Sequence, residues 1–146
     1  MTYPLLVTVH LMAALVFIGT VTFEVLFLEP VQKRLPAEVR KALSRELAPR
    51  VRAVMPWVLL VLYSAGLGMA WHYRAALASP GSSAFGTLLL IKITLAASVL
   101  LHVITAMTLA RRKRLHAALR GRVHLSVFCH MVGIVLLAKA LFHFSW

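Results

Sequence analysis

Six side chains that can ligate a metal or carry a charge lie inside runs that are otherwise apolar: His10, Glu24, Lys92, His102, His130 and Lys139. If those runs cross a membrane, a charged group near the middle costs about 3 kcal/mol unless it is paired or hydrated, so each needs a reason to be there. The types suggest the chemistry. A neutral imidazole nitrogen is an axial ligand for haem iron and a donor for copper. A lysine neutralises an anion, such as the propionate of a porphyrin or a substrate carboxylate. Met12 and Met69 are soft donors to which core filling is the plainer assignment.

The runs that carry these residues have the length of membrane spans. About 20 apolar residues cross the bilayer core as a helix, and four segments qualify, at 5–28, 53–71, 87–110 and 123–142. The chain has 146 residues, 61% of them hydrophobic and only 14% charged, with a mean hydropathy of +0.86. A soluble domain of this size cannot hide that much apolar surface. The expected fold is therefore all-α and integral to the membrane: an antiparallel four-transmembrane-helix bundle forming one domain over 1–146. The N-terminal run has no Lys or Arg before it and no clear small-residue cleavage site after it, so it reads as a span, not a signal peptide.

A formal net charge of +12 would point to nucleic acid in a soluble protein. Here the basic residues stand between the spans, and nucleic acid is excluded as a partner in favour of the lipid bilayer. Lys33, Arg34, Arg40, Lys41, Arg45, Arg50 and Arg52 fall between the first two spans. Arg111, Arg112, Lys113, Arg114, Arg120 and Arg122 fall between the last two, and Arg74 is alone in the middle loop. The positive-inside rule then puts loops one and three in the cytoplasm of a multi-pass inner-membrane protein, with both termini outside. Tyr3, Trp57, Trp71, Tyr73 and Trp146 stand near helix ends, where interfacial aromatics belong. In loop one, Val39, Leu43 and Leu47 recur every fourth residue. That leaves two options, a solvated basic loop or a short amphipathic helix on the membrane surface. Loop two, with its Ser-Pro-Gly-Ser-Ser core, reads as a flexible connection.

Depth sorts the polar residues into two layers. Spans one and three run from outside to inside, which puts His10 and Lys92 in the outer third. His102 lies about 15 Å deeper than Lys92, and His130, on a span running outward, returns to its level. Glu24 is nearer the cytoplasmic end. Helical spacing sorts them again. Thr94, Ser98, His102 and Thr105 form one stripe; Ser126, His130 and Gly133 form another; His10, Ala13, Ala14, Phe17, Val21 and Glu24 form a third. Small and hydroxylated stripes suit helix–helix contact in lipid. Lys139 falls on a different face from His130 and is expected to snorkel outward. His72, His124 and His143 are placed at span ends as packing residues, and His116 in a solvated loop. Cys129 is a single cysteine, so neither an intrachain disulfide nor a cysteine metal motif exists. No strict internal repeat is evident.

A His early in span one, a basic loop leading into RVRAVMPWVLLVLYSAGLGMAW, Lys92 early in span three and His102 later in it resemble the HemJ-type protoporphyrinogen oxidases. The wider CopD-like membrane superfamily, linked to copper resistance or import, is similar too. The region after the first helix, TFEVLFLEPVQKRLP, departs from the Tyr/Leu-Pro-Arg type of motif in the former family. The resemblance implies a haem b protein of the bacterial inner membrane with a redox role, acting on a porphyrin or passing electrons to a quinone-like small molecule. His10 and Lys92 would be its working residues, and His10, His102 and His130 its metal ligands. Two other functions follow from the same residues. One is a copper-handling permease using His10, Met12, Met69 and His72 with Glu24 and His102, which would need a homo-oligomer to form a path. The other is a structural or assembly subunit whose polar residues only join helices.

Overall fold

The computed structural model describes residues 3–112 and 117–143. Lys113, Arg114, His116 and Trp146 lie outside the described residues. Among those described there is no strand. Helix α1 spans Tyr3–Phe23, passes through a π-helical turn at Glu24–Leu28 and continues as α2, Glu29–Arg34. Helix α3 is Ala37–His72, α4 is the short Arg74–Ala78, and a 3-10 turn at Pro80–Ser82 precedes α5, Ala84–Arg111. Helix α6 is Ala117–His143.

Four helical stretches are long and apolar enough to cross a membrane: Tyr3–Arg34, Ala37–His72, Ala84–Arg111 and Gly121–Leu141. The first three contain the expected spans, and the fourth covers 123–142 except its last residue. The difference lies in the first connection, where only Leu35 and Pro36 interrupt the helix. Lys33 and Arg34 end α2, and Arg40 to Arg52 ride on α3, which begins at Ala37 instead of near residue 53. The Val39–Leu43–Leu47 repeat is thus helical, but as the first part of the long α3. Pro49 and Pro56 lie inside that helix and withhold the N–H groups that would reach the carbonyls of Arg45 and Arg52. In the middle connection the Ser-Pro-Gly-Ser-Ser core does break the α-helix, but into an ordered turn. Ser83 caps α5 by accepting from the Gly86 N–H at 3.0 Å, and Thr87 donates to the Pro80 carbonyl at 2.7 Å. Gly86 is buried, and the turn leaves no room there for a side chain, since a Cβ would stand 2.9 Å from the Ala76 carbonyl oxygen.

Few side chains are buried. Ala13, Phe17, Leu59, Ala65, Leu89, Val99, Val127, Met131 and Leu141 make up the apolar core among the described residues, whereas Trp57, Leu67 and Trp71 are about 70% exposed. An apolar surface of that extent suits lipid, not water.

The chain divides into two compact units, Met1–His72 and Tyr73–Trp146. In the first, α1 packs on α3. Tyr3 meets His72, Leu6 meets Gly68 and His10 meets Gly66, so residue numbers rise along one helix as they fall along the other. In the second, α5 packs on α6 with the same opposition: Leu95 faces Gly133, Ser98 faces His130 and His102 faces Ser126.

Candidate functional site

In the first unit, His10 is half-buried, and its Nδ1–H donates to the Leu62 carbonyl oxygen of α3 at 3.0 Å. A carbonyl can only accept, so this bond fixes the proton on Nδ1 and leaves Nε2 as the basic nitrogen. The approach depends on Gly66, where a Cβ would stand 3.3 Å from the His10 Cε1. Ala13 and Phe17, on the same stripe, are buried. Glu24 opens the π-helical turn and is half-buried, and the Glu29 N–H bonds back to its carbonyl. Such single π turns insert one extra residue into a helix and re-aim the side chains that follow. Met12, on the far side of α1 from His10, is 57% exposed. His72 is exposed; its ring lies against Tyr3 at 5.2 Å and its Nδ1–H reaches the Gly68 carbonyl at 3.2 Å.

The second unit holds a closed ring of four side chains. His102 donates from Nδ1 to the carbonyl of Ser98, four residues earlier, at 2.7 Å. His130 does the same to Ser126, also at 2.7 Å. Both imidazoles therefore present Nε2 as the acceptor. The Ser126 hydroxyl donates to the His102 Nε2 at 3.3 Å and the Ser98 hydroxyl to the His130 Nε2 at 3.2 Å. The imidazole centroids are 5.4 Å apart with the rings tilted by 48°. Val99 and Val127 fill the seam beside them. The arrangement is nearly two-fold symmetric because the same pattern, Ser-Val-x-x-His, stands on both helices at 98–102 and 126–130. That short repeat is the signal the sequence reading missed.

The expected stripe on α5 is only partly in the seam. Ser98 and His102 face α6, whereas Thr94 and Thr105 are exposed, and Thr94 bonds back to the Leu90 carbonyl at 2.9 Å. On α6, Ser126, His130 and Gly133 all meet α5. Lys139 is exposed. Lys92 is half-buried on α5, and among the described residues no hydrogen bond or ion pair reaches it. No group of three or more His, Cys, Asp or Glu side chains gathers among the described residues.

Three intramembrane histidines thus share one feature. Each has Nδ1–H tied to a backbone carbonyl, which fixes the ring and its tautomer, as the outer-shell partner of a metal-ligating histidine does. They differ in surroundings. As α5 and α6 pack, the His102 and His130 ring centroids stand 5.4 Å apart beside the buried Val99 and Val127. Across the α1–α3 seam the His10 ring stands against Gly66, where a Cβ would lie 3.3 Å from its Cε1. Comparison with known protein families, curated proteins and solved structures returns no match for this chain.

Proposed function

We propose that the chain is a multi-pass protein of the bacterial inner membrane that binds haem b and serves a redox reaction, as the resemblance to HemJ-type oxidases implies. In this proposal the four spans form an antiparallel bundle with both termini outside, oriented by the basic residues of α2, the start of α3 and the α5–α6 connection. The observation that carries the cofactor assignment is the His10 ring, held by the Leu62 carbonyl at 3.0 Å with Nε2 as its basic nitrogen. His10 would hold the iron, and haem iron would supply one-electron transfer. Gly66 keeps the space that lets the ring stand against α3. Lys92 would neutralise a propionate or a substrate carboxylate. An ammonium in a span is costly without an anion beside it, and no partner for it stands among the described residues.

The test is a reduced-minus-oxidised spectrum of the detergent-purified protein with pyridine-haemochrome stoichiometry, taken from haem-replete cells. A b-type spectrum supports the proposal and a colourless protein ends it. Lys92→Met keeps the side-chain length and removes the charge. Haem retention or turnover should fall, and Lys92→Arg should restore part of it. Equal behaviour of Met, Arg and wild type would leave snorkelling as the whole explanation of Lys92.

A further inference from the structure

The two basic stretches of the chain are neutralised differently. All four acidic residues, Glu24, Glu29, Glu38 and Glu46, belong to the first unit. There Lys33 pairs with Glu29 at 3.0 Å and Arg45 with Glu46 at 3.2 Å. The second unit, Tyr73–Trp146, carries Lys and Arg but no Asp or Glu, so none of its own side chains can balance their charge. We propose that the α5–α6 end of this unit binds the phosphodiester headgroups of anionic glycerophospholipids through Arg111, Arg112 and Arg122. The proposal goes beyond haem binding by His10 and does not depend on it.

Position identifies the anion. The apolar stretches that meet at this end are Ala84–Arg111 and Gly121–Leu141. Arg111 closes the first, Arg112 follows it, and Arg122 is the second residue of the other; all three are exposed. The pairing of Ser98 with His130 and of His102 with Ser126 runs α5 beyond His102 alongside α6 before Ser126. With a rise of about 1.5 Å per residue, Arg122 lies about 6 Å and Arg111 about 13 Å past the His102–Ser126 level. Where two spans leave the hydrocarbon core, lipid phosphates are the anions already present at that depth. The start of α6 adds to the same field, because its first turn has no acidic residue and a helix N-terminus carries partial positive charge.

Chemistry decides which headgroup. A guanidinium presents parallel N–H donors that reach two phosphate oxygens at once. A zwitterionic headgroup brings its own ammonium and leaves the arginines uncompensated, whereas a headgroup of net negative charge balances them. Each Lys or Arg close to an anionic surface strengthens binding about fivefold. Salt weakens that attraction, since the Debye length is about 10 Å at 0.1 M.

The test uses the full chain in nanodiscs of phosphatidylcholine with a minor share of phosphatidylglycerol, followed by native mass spectrometry of the lipids that stay bound on release. Phosphatidylglycerol should be retained about tenfold or more above its share of the disc, and the excess should shrink as salt is raised. Arg111→Gln, Arg112→Gln and Arg122→Gln together should remove most of that excess. Arg40→Gln, Lys41→Gln and Arg50→Gln, which take the same charge from the start of α3, should leave most of it. The wild-type lipid ratio needs no variant, so the claim stays testable if a triple variant fails to fold. Retention of the two lipids in proportion to their supply would overturn the proposal. So would wild-type retention in the α5–α6 variant, or equal loss in the two triple variants. Inorganic phosphate and a short oligonucleotide serve as the non-lipid probes for the chain in detergent, and binding of either as tight as that of phosphatidylglycerol would overturn the choice of a lipid.

Discussion

The two helix pairs solve the same problem by different means. In α1–α3 a single imidazole reaches the partner backbone directly, and Gly66 makes the approach possible. In α5–α6 two imidazoles stay on their own helices and meet the partner through serine hydroxyls. In the first arrangement the ring itself fills the space over the glycine, where a Cβ would stand 3.3 Å from its Cε1. The second satisfies all its groups internally and closes the seam with Val99 and Val127. Polar contact between helices in lipid is worth about 1 kcal/mol per bond, so both arrangements hold their helices together. In the proposed assignment the glycine-backed pair is the one that holds the haem.

The largest expected effect on this contrast is in the turn that starts the second pair. Gly86→Val should cost about 2–3 kcal/mol, because its side chain meets the Ala76 carbonyl oxygen and the Pro80 Cα. Loss of thermal stability in detergent checks it, and an unchanged melting curve would contradict the packing of that turn. Next comes the ring. His102→Ala should cost about 1–3 kcal/mol. A double-mutant cycle of His102→Ala with Ser126→Ala should give a coupling near 1 kcal/mol, whereas His102→Ala with Thr94→Ala, two turns away on the exposed side of α5, should give none. A zero coupling for the first cycle would break the ring as a unit. Gly66→Ala should cost about 1 kcal/mol. Its Cβ would crowd the His10 ring at 3.3 Å, and haem retention should drop with stability. The smallest effect belongs to Gly133. There a Cβ meets Leu95 at an ordinary 3.6 Å, and Gly133→Ala should be neutral or stabilising by up to about 1 kcal/mol. Strong destabilisation would show that the α5–α6 seam is tighter than it stands.

What the sequence disclosed was the membrane character and the polar residues. Histidines and a lysine inside apolar runs announce themselves, because nothing else in those runs is polar. The Ser-Val-x-x-His pattern was equally open to view. Its meaning was not, because only the antiparallel register puts Ser98 opposite His130 and His102 opposite Ser126. Gly66 stayed silent for the same reason: a glycine in a span has many uses until its neighbour is known. The π-helical turn at Glu24 had no residue signature, since it adds one residue per turn without requiring any particular type. The long α3 was hidden by its charges. Arg40 to Arg52 read by composition as a connection, either a solvated loop or a short surface helix, although their helix propensity is high and Pro49 interrupts only one bond.

The central claim is the division of labour between the two pairs, with haem on His10 and not between His102 and His130. Haem-to-protein ratio in purified His10→Ala against His102→Ala, both checked for folding, tests it most directly. The account predicts that His10→Ala loses the b-type spectrum while His102→Ala keeps close to the wild-type ratio. A His102→Ala protein that is colourless beside a fully haem-loaded His10→Ala protein would contradict it.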